Sequence, residues 1–293
     1  MRLGILGGSG LYELEGLQDI RWKKIRTPLG KPSDAFMHGR LKGREIVFLP
    51  RHARGHRILP SEINHRANIY AFKKLGVSRI ISVSAVGSLK QELRPRDIVL
   101  PDQYFDRTKK SLEHTFFGNG IVGHVAFGDP TCGEWRKIIA ASAKKVLARH
   151  AGKEHVKLVE GGTYVNMEGP HFSTRAESNA YRRNGSSIIG MTSLGEAKLC
   201  REAGICYQAM AMVTDYDCWH ESEEPVTVDM IIGNLLANVK LAKEILVELI
   251  GSLPEKSGCA CSKSLENAIM TAPGAIPARV KKALAPILRG YVK

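Results

Sequence analysis

The chain has 293 residues, 43% of them hydrophobic and 25% charged, which is ordinary for a globular protein and enough for a sizeable core. Lysine and arginine outnumber aspartate and glutamate by 43 to 29, a net charge of +14, but the surplus is scattered over "RWKKIR", "RTKK" and "ARVKKAL". With no zinc-finger spacing and no basic stripe interleaved with aromatics, this argues against a nucleic-acid reader and suits anionic small substrates. The opening "MRLGILGGSG" is too short an apolar run for a signal peptide, and no stretch approaches the roughly 20 apolar residues of a membrane span, so a soluble, cytoplasmic protein is expected, with no membrane partner.

In chain order, "RLGILG" predicts a short buried strand ending in a glycine turn, and "EIVFLP" a second strand stopped by Pro50. "INHRANIYAFKKLG" has helical spacing and a C-terminal glycine, Gly76. "RIISVSAVGS" and "DIVLP" predict strands, and "EWRKIIAASAKKVLARH" an amphipathic helix. "SLGEAKLCREAG" predicts a helix with Ser193 as N-cap and Glu196 completing a capping box. "ICYQAMAMVT" is a buried strand, and "TVDMIIGNLLANVKLAKEILVELIG" a long helix ending at Gly251. A loop over about 253–274 and a short helix in "PARVKKALAPILRG" complete the chain.

Strands apolar on both faces that alternate with helices predict an α/β fold, a central mostly parallel mixed β-sheet covered by helices. Residues 1–252 form the α/β domain in this reading, and the Cys-bearing loop and helix of 253–293 pack on the same domain. Ligands of such sheets bind beyond the carboxyl ends of strands, so the chemistry is sought there.

The first strand ends in "GGSG", where consecutive glycines admit an anion to the backbone N–H groups and Ser9 adds a hydroxyl. This is neither GxGxxG nor a P-loop, since the lysine is missing. The second ends in "PRHARGH": Arg51 offers a planar fork for phosphate and His52 a second donor. His52 and His56 invite a zinc reading, which Gly55 and the lack of a placed third ligand oppose. "SAVGS" adds Ser84 and the backbone of Ala85, and "GMTS" is a strand end followed by a helix N-terminus, so Thr192 sits where anions are favoured. Each feature alone has a bland turn or cap explanation; together they predict an anion site.

"AMVTDYDCWH" carries Asp215 and Asp217 at a strand end, with Tyr216 between them. Residues two apart on a strand share a face. Two carboxylates whose environments separate their pKa values can divide donor and acceptor work, as a 6-aminopurine requires at N7 and at its exocyclic amine.

These residues fall in "GILGGSGLY", "RHARGHRILPSEINHRANIYA", "SAVGSL", "NMEGPHFSTRAES", "MTSLGEAKL" and "MVTDYDCW". Together the motifs closely resemble the methylthioadenosine phosphorylases, a branch of the trimeric purine nucleoside phosphorylases, in register from about residue 1 to 250. The resemblance implies reversible phosphorolysis of S-methyl-5'-thioadenosine to adenine and 5-methylthioribose 1-phosphate, in salvage of methionine and purine. It implies that Ser9, Arg51, His52, Ser84, Ala85 and Thr192 hold phosphate. Met191 would contact the ribose, and Phe172 would pack on the purine. Asp215 would act as acid at N7 and Asp217 would read the 6-amino group. Ser173 and Val228 match specificity positions, and His124 matches a residue reaching a neighbouring subunit's 5'-methylthio pocket. A homotrimer or a hexamer (a dimer of trimers) is implied, with phosphate as co-substrate, no cofactor and no metal. Two departures are Ser9, where many members have threonine, and Gly195, where most have proline; neither removes a binding group. A phosphorylase of broader adenosine or inosine specificity and a hydrolytic nucleosidase are the rival readings.

Six cysteines remain: Cys132, Cys200, Cys206, Cys218, Cys259 and Cys261. Scarce glutamine with abundant Lys, Arg and Glu is a thermophile bias, and the Cys-Ala-Cys tail resembles archaeal hyperthermophile members of the group. Structural disulfides are therefore expected over a thiolate metal pair, for which no second CxxC is present, with plain reduced thiols the remaining alternative. The pairing expected is Cys132 with Cys206, and Cys200 with the Cys259/Cys261 pair, leaving Cys218 free.

Overall fold

A computed structural model describes residues 2–8, 10–11, 13–150, 155–220, 228–254 and 258–292, with backbone alone for 228–232. The strands are β1 (Arg2–Gly7), β2 (Gln18–Lys23), β3 (Phe36–Leu41), β4 (Arg44–Pro50), β5 (Val77–Ser88), β6 (Ile98–Leu100), β7 (Gln103–Arg107), β8 (Leu158–Glu160), β9 (Thr163–Met167), β10 (Ile188–Gly190) and β11 (Cys206–Tyr216). The α-helices are α1 (His65–Lys74), α2 (Gly133–Arg149), α3 (Arg175–Arg183), α4 (Ser193–Glu202), α5 (Val228–Gly251), α6 (Ala278–Ala283) and α7 (Ala285–Leu288).

One sheet of 11 strands runs β2-β3-β4-β1-β5-β10-β9-β7, and a branch of β11, β6 and β8 leaves β5. Its centre is parallel, β4 with β1, β1 with β5 and β5 with β11, whereas β2, β3, β6 and β10 add antiparallel pairs. The expected mixed, mostly parallel sheet under helices is what forms. Helices cover both faces because the central strands are apolar on both sides. Met210 and Met212 of β11 pack with Ile139 of α2 and Ile245 of α5 on one face. Tyr207 and Ala209 pack with Ile69 of α1 and Leu199 of α4 on the other.

Every strand and helix expected from hydrophobic periodicity is present, with adjusted ends. The last helix is two, α6 and α7, meeting at Leu284 before Pro286, where proline removes an N–H donor. Beyond residue 253 the chain adds Leu265, Ile276, Val280 and Leu288 to the α1/α4 face, and the Tyr70 hydroxyl donates to the Ala283 carbonyl at 2.8 Å. The elements not foreseen are β2, β3, β7 to β9 and α3. Most are short or half-exposed and carry little periodicity, although the Thr174-Glu177 capping box that opens α3 was a readable signal.

The site follows from one register feature. β5 is hydrogen-bonded to β1 only through Ser82, which pairs with Leu6. On that edge β10 takes over at Gly87 and Ser88. Between Ser82 and Gly87, no described strand pairs with that edge of β5, and the sheet opens there.

Candidate active site

A cavity of about 360 Å³ fills this opening, within the usual range for small-molecule sites. It is reached by Arg51 and His52 after β4, by Ser84, Ala85 and Gly87 of β5, by Met191 and Thr192 at the β10–α4 junction, by Phe172, and by Asp215 and Asp217 at the end of β11. Most of the residues expected at the strand ends therefore meet in one place. Ser9 lies outside the described residues, but Gly8 beside it lines the cavity. Val228 starts α5, and its side chain lies outside the described residues. Ser173 is half-buried and off the lining; its carbonyl accepts from the Cys218 thiol at 3.2 Å. His124 is exposed and its backbone N–H donates to the Ala268 carbonyl at 2.8 Å, away from its own chain's cavity.

The anion-facing wall is more constrained than the sequence suggested. Arg51 is buried and paired through Nε with Glu196 Oε1. Its Nη2 donates to Ser82 Oγ at 2.5 Å and to Glu196 Oε2 at 3.4 Å, and Nη1 to the Val83 carbonyl at 3.2 Å. A guanidinium has five N–H groups, so one Nη1 hydrogen remains for a ligand. Glu196 also accepts from Ser82 Oγ at 2.6 Å and from Tyr207 Oη at 2.9 Å. Its expected role as the N3 partner of a Ser193 cap is thus wrong. Thr192 is the N-cap of α4, the frame shifts by one residue, and Glu196 turns into the sheet instead. Because a buried carboxylate needs partners, Arg51 and Glu196 fix each other.

His52 Nδ1 lies 2.8 Å from the Ile58 carbonyl. A carbonyl only accepts, so Nδ1 carries the proton in the neutral ring and Nε2 is an acceptor. Burial and the adjacent Arg51 charge lower the ring's pKa to about 4, so it is neutral at pH 7. His52 is thus an acceptor rather than the donor expected. Ser84 Oγ is buried with no partner among the described residues, as befits a hydroxyl turned to a ligand. Thr192 is buried at the N-terminus of α4, where helix N–H groups and dipole favour an anion.

The carboxylate wall is set by a bulge. β11 pairs with β5 regularly to Val213, then shifts register so that Asp215 faces Gly87. Side-chain amides from α5 catch the carbonyls there: Asn238 Nδ2 donates to Val213 O at 2.9 Å and Asn234 Nδ2 to Thr214 O at 2.7 Å. Asp215 Oδ2 accepts from Thr214 Oγ1 at 2.6 Å. Asp217 lies one residue past the strand, held as its N–H donates to the Ser88 carbonyl at 3.0 Å. Both carboxylates line the cavity while Tyr216 turns away to pack edge-on against Trp219.

Gly87 makes room for the pair, since a Cβ there would stand 3.1 Å from Asp215 Oδ1 and 3.6 Å from Asp217 Cβ. Burial raises the pKa of Asp215 to about 6, assisted by Asp217 and opposed by the Thr214 hydrogen bond. Burial also raises that of Asp217. Asp217 Oδ2 is buried with no partner among the described residues. A further residue missed in the sequence is Asn166 of β9. Its Nδ2 donates to the Met191 carbonyl at 3.2 Å and its Oδ1 accepts from Leu194 N at 2.9 Å, which fixes the turn carrying Met191 and Thr192.

The expected disulfides do not form. No disulfide links any of the six cysteines. Cys200 belongs to the α1/α4 face with Ala197 and Leu199, whereas Cys132, Cys206 and Cys261 belong to the α2/α5 face. The expected partners of Cys200 therefore lie with a different cluster.

A family model described as "Phosphorylase superfamily" matches residues 2–251. The chain is 52% identical over 290 residues to the S-methyl-5'-thioadenosine phosphorylase of Geobacter sulfurreducens, covering 99% of each chain. It is also 52% identical to that of Koribacter versatilis, covering 99% of this chain and 96% of that one. Its fold is similar to the crystal structure of a methylthioadenosine phosphorylase from an antarctic soil metagenomic library (TM-score 0.92, 44% identity, 98% of each chain). It is likewise similar to methylthioadenosine phosphorylase from Schistosoma mansoni in complex with adenine (TM-score 0.83, 34% identity, 92% of this chain and 99% of that one). The chain therefore belongs to the phosphorylase superfamily, in its S-methyl-5'-thioadenosine phosphorylase family, and is a pentosyltransferase.

Proposed function

We propose that this enzyme cleaves the N-glycosidic bond of S-methyl-5'-thioadenosine with inorganic phosphate, giving adenine and 5-methylthioribose 1-phosphate, as a step of methionine and purine salvage. The observation that carries the reading is that one cavity joins an anion-binding wall to a pair of carboxylates, Asp217 buried and Asp215 half-buried. Ser84 and Gly87 are three residues apart on β5, about 10 Å along a strand. That span suits a phosphate at one end and the N7/6-amino edge of a purine at the other.

Phosphate is received by the N-terminal turn of α4 at Thr192, by Ser84 Oγ, by the Ala85 backbone, by the remaining Arg51 Nη1 hydrogen and by Ser9. The neutral His52 accepts the hydrogen of a monoprotonated phosphate through Nε2. Held there, phosphate is both the nucleophile at C1' and an anion facing the oxocarbenium-like centre as the C–N bond lengthens. Met191 lies against the ribose and Phe172 on the base. Asp215, with a pKa near 6, keeps a protonated fraction at neutral pH and delivers that proton to N7 as negative charge builds on the leaving purine. Asp217 uses its unpartnered Oδ2 to accept from the 6-amino group, and it disfavours a 6-oxo purine by repulsion. Ser173 and Val228 bear on substrate choice, and His124 acts from a neighbouring subunit of a trimer or a dimer of trimers. No cofactor is needed beyond the co-substrate.

The experiment is adenine release from S-methyl-5'-thioadenosine with and without inorganic phosphate. Release that requires phosphate supports phosphorolysis; equal release without it makes the enzyme a nucleosidase.

A further inference from the structure

The Sγ atoms of Cys132, Cys206, Cys259 and Cys261 all lie within 4.8 Å of one another. They come from three separate segments. Cys132 caps the N-terminus of α2, Cys206 opens β11, and Cys259 and Cys261 lie in the tail beyond residue 251, where the superfamily match ends. From this convergence we infer that the thiols form a closed structural zinc site that fastens the C-terminal tail to the phosphorylase core.

The spacing suits a tetrahedral metal. Four thiolates about 2.3 Å from a tetrahedral zinc stand roughly 3.8 Å apart. Here the close contact, Cys206 Sγ to Cys259 Sγ, is 3.0 Å and the widest separation is within 4.8 Å, so the observed range brackets that value. The Cys206–Cys259 distance is well beyond the roughly 2.05 Å of a disulfide. A set of four thiolates selects zinc or iron among common metals, and with all four positions filled by protein the site is structural rather than catalytic.

The surroundings complete the shell. Trp135 N–H points to Cys132 Sγ at 3.4 Å, and the α2 N-terminus favours thiolate there. The Cys132 N–H donates to the Tyr207 carbonyl at 3.0 Å, tying the ligand segments together. Arg136 and Arg201, with Cys132, Cys259 and Cys261, line a cleft of about 440 Å³. Asp102, Asp129 and Glu134 also line this cleft, and Arg136 pairs with Asp102 at 3.1 Å, so the cleft serves as an entry path rather than as charge balance. Binding releases the four thiol protons to solvent, with no redox step. The site is at the opposite end of β11 from Asp215, so it acts on stability and not on chemistry.

The test uses the full chain, produced with zinc in the medium and purified under reducing conditions. Metal content is read by mass spectrometry and zinc release by titration with a mercurial. The expected result is about one zinc per chain, released as thiols are modified. Cobalt substitution should give the intense ligand-field bands of a tetrahedral thiolate complex. The double substitution Cys259→Ser with Cys261→Ser should abolish metal binding and lower the unfolding midpoint by about 10 °C, the scale expected when a few kcal/mol are lost from a chain of this size. Cys200→Ser should keep its zinc. A wild-type chain with all six thiols titratable at once and no metal overturns the inference, as does iron in place of zinc. Peptide mapping that links Cys132 to Cys206, or Cys259 to Cys261, overturns it also.

Discussion

Asp215→Asn separates the demands of function from those of stability. The amide is the same size as the carboxyl, and its Oδ1 can still accept from Thr214 Oγ1 as the carboxylate does at 2.6 Å. What is lost is the titration. In the fold Asp215 titrates near 6 against an ordinary 3.8, chiefly because it is buried. An acid raised in this way binds its proton more tightly folded than unfolded. Its contribution is therefore fully present below about pH 4 and is lost as pH rises through about 6. At about 1.4 kcal/mol for each tenfold in proton affinity, the difference is up to about 3 kcal/mol.

Wild type should therefore lose up to about 3 kcal/mol relative to Asp215→Asn between pH 4 and pH 7, so that the inactive variant is the more stable protein at neutral pH. Urea unfolding of both chains at several pH values reads this directly, because apart from Asp217, whose charge couples to Asp215, the other groups titrate alike in the two. A stability difference that stays constant from pH 4 to pH 8 would refute the assignment of a buried, proton-holding carboxyl at this position. So would a wild type more stable than the variant at pH 8. The variant should also lose turnover by a factor of about 100 or more, the range attributed to a general acid. In the wild type, kcat/KM should fall as pH rises above about 6, the deprotonation of the free enzyme's acid.

Further tests address the other walls. Arg51→Met and Glu196→Gln should each destabilise by about 3–5 kcal/mol, since each leaves a buried charge unpaired, and the double variant should recover much of the loss in a double-mutant cycle. Additive losses would break the coupling argued from the shared hydrogen bonds. Asp217→Asn should shift the ratio of kcat/KM for inosine over adenosine upward by about tenfold or more, on the 1–3 kcal/mol scale of pocket discrimination; an unchanged ratio removes Asp217 from base reading. Gly87→Ala should leave the fold intact but lower kcat, because the added methyl meets Asp215 Oδ1 at 3.1 Å and Ile189 Cγ2 at 3.2 Å. Wild-type kinetics in that variant would mean the carboxylates tolerate displacement.

The central strands and helices were legible because their apolar periodicity is strong: "RIISVSAVGS" and "ICYQAMAMVT" could only be buried strands. The cavity lining was legible because strand ends at glycine turns are where such sheets bind ligands, so Arg51, Ser84, Thr192 and the aspartates could be named from position alone. Three things depended on distance in space rather than spacing in sequence. Glu196 reads locally as a helix cap, and only the sheet brings it to Arg51. His52 reads as a donor until the Ile58 carbonyl fixes its tautomer. Cys132 and Cys206 show no zinc spacing because the chain closes the ligand set through α2 and β11, so the Cys-Ala-Cys tail looked like half a site or a disulfide.

The central claim is that phosphate, not water, takes the pentose. Phosphorus-31 magnetic resonance of a reaction containing S-methyl-5'-thioadenosine and inorganic phosphate measures it most directly. The account predicts one new sugar phosphate signal growing in step with adenine, and consumption of that signal when excess adenine is added. Adenine appearing with the phosphate signal unchanged, and free methylthioribose as the sugar product, would contradict it.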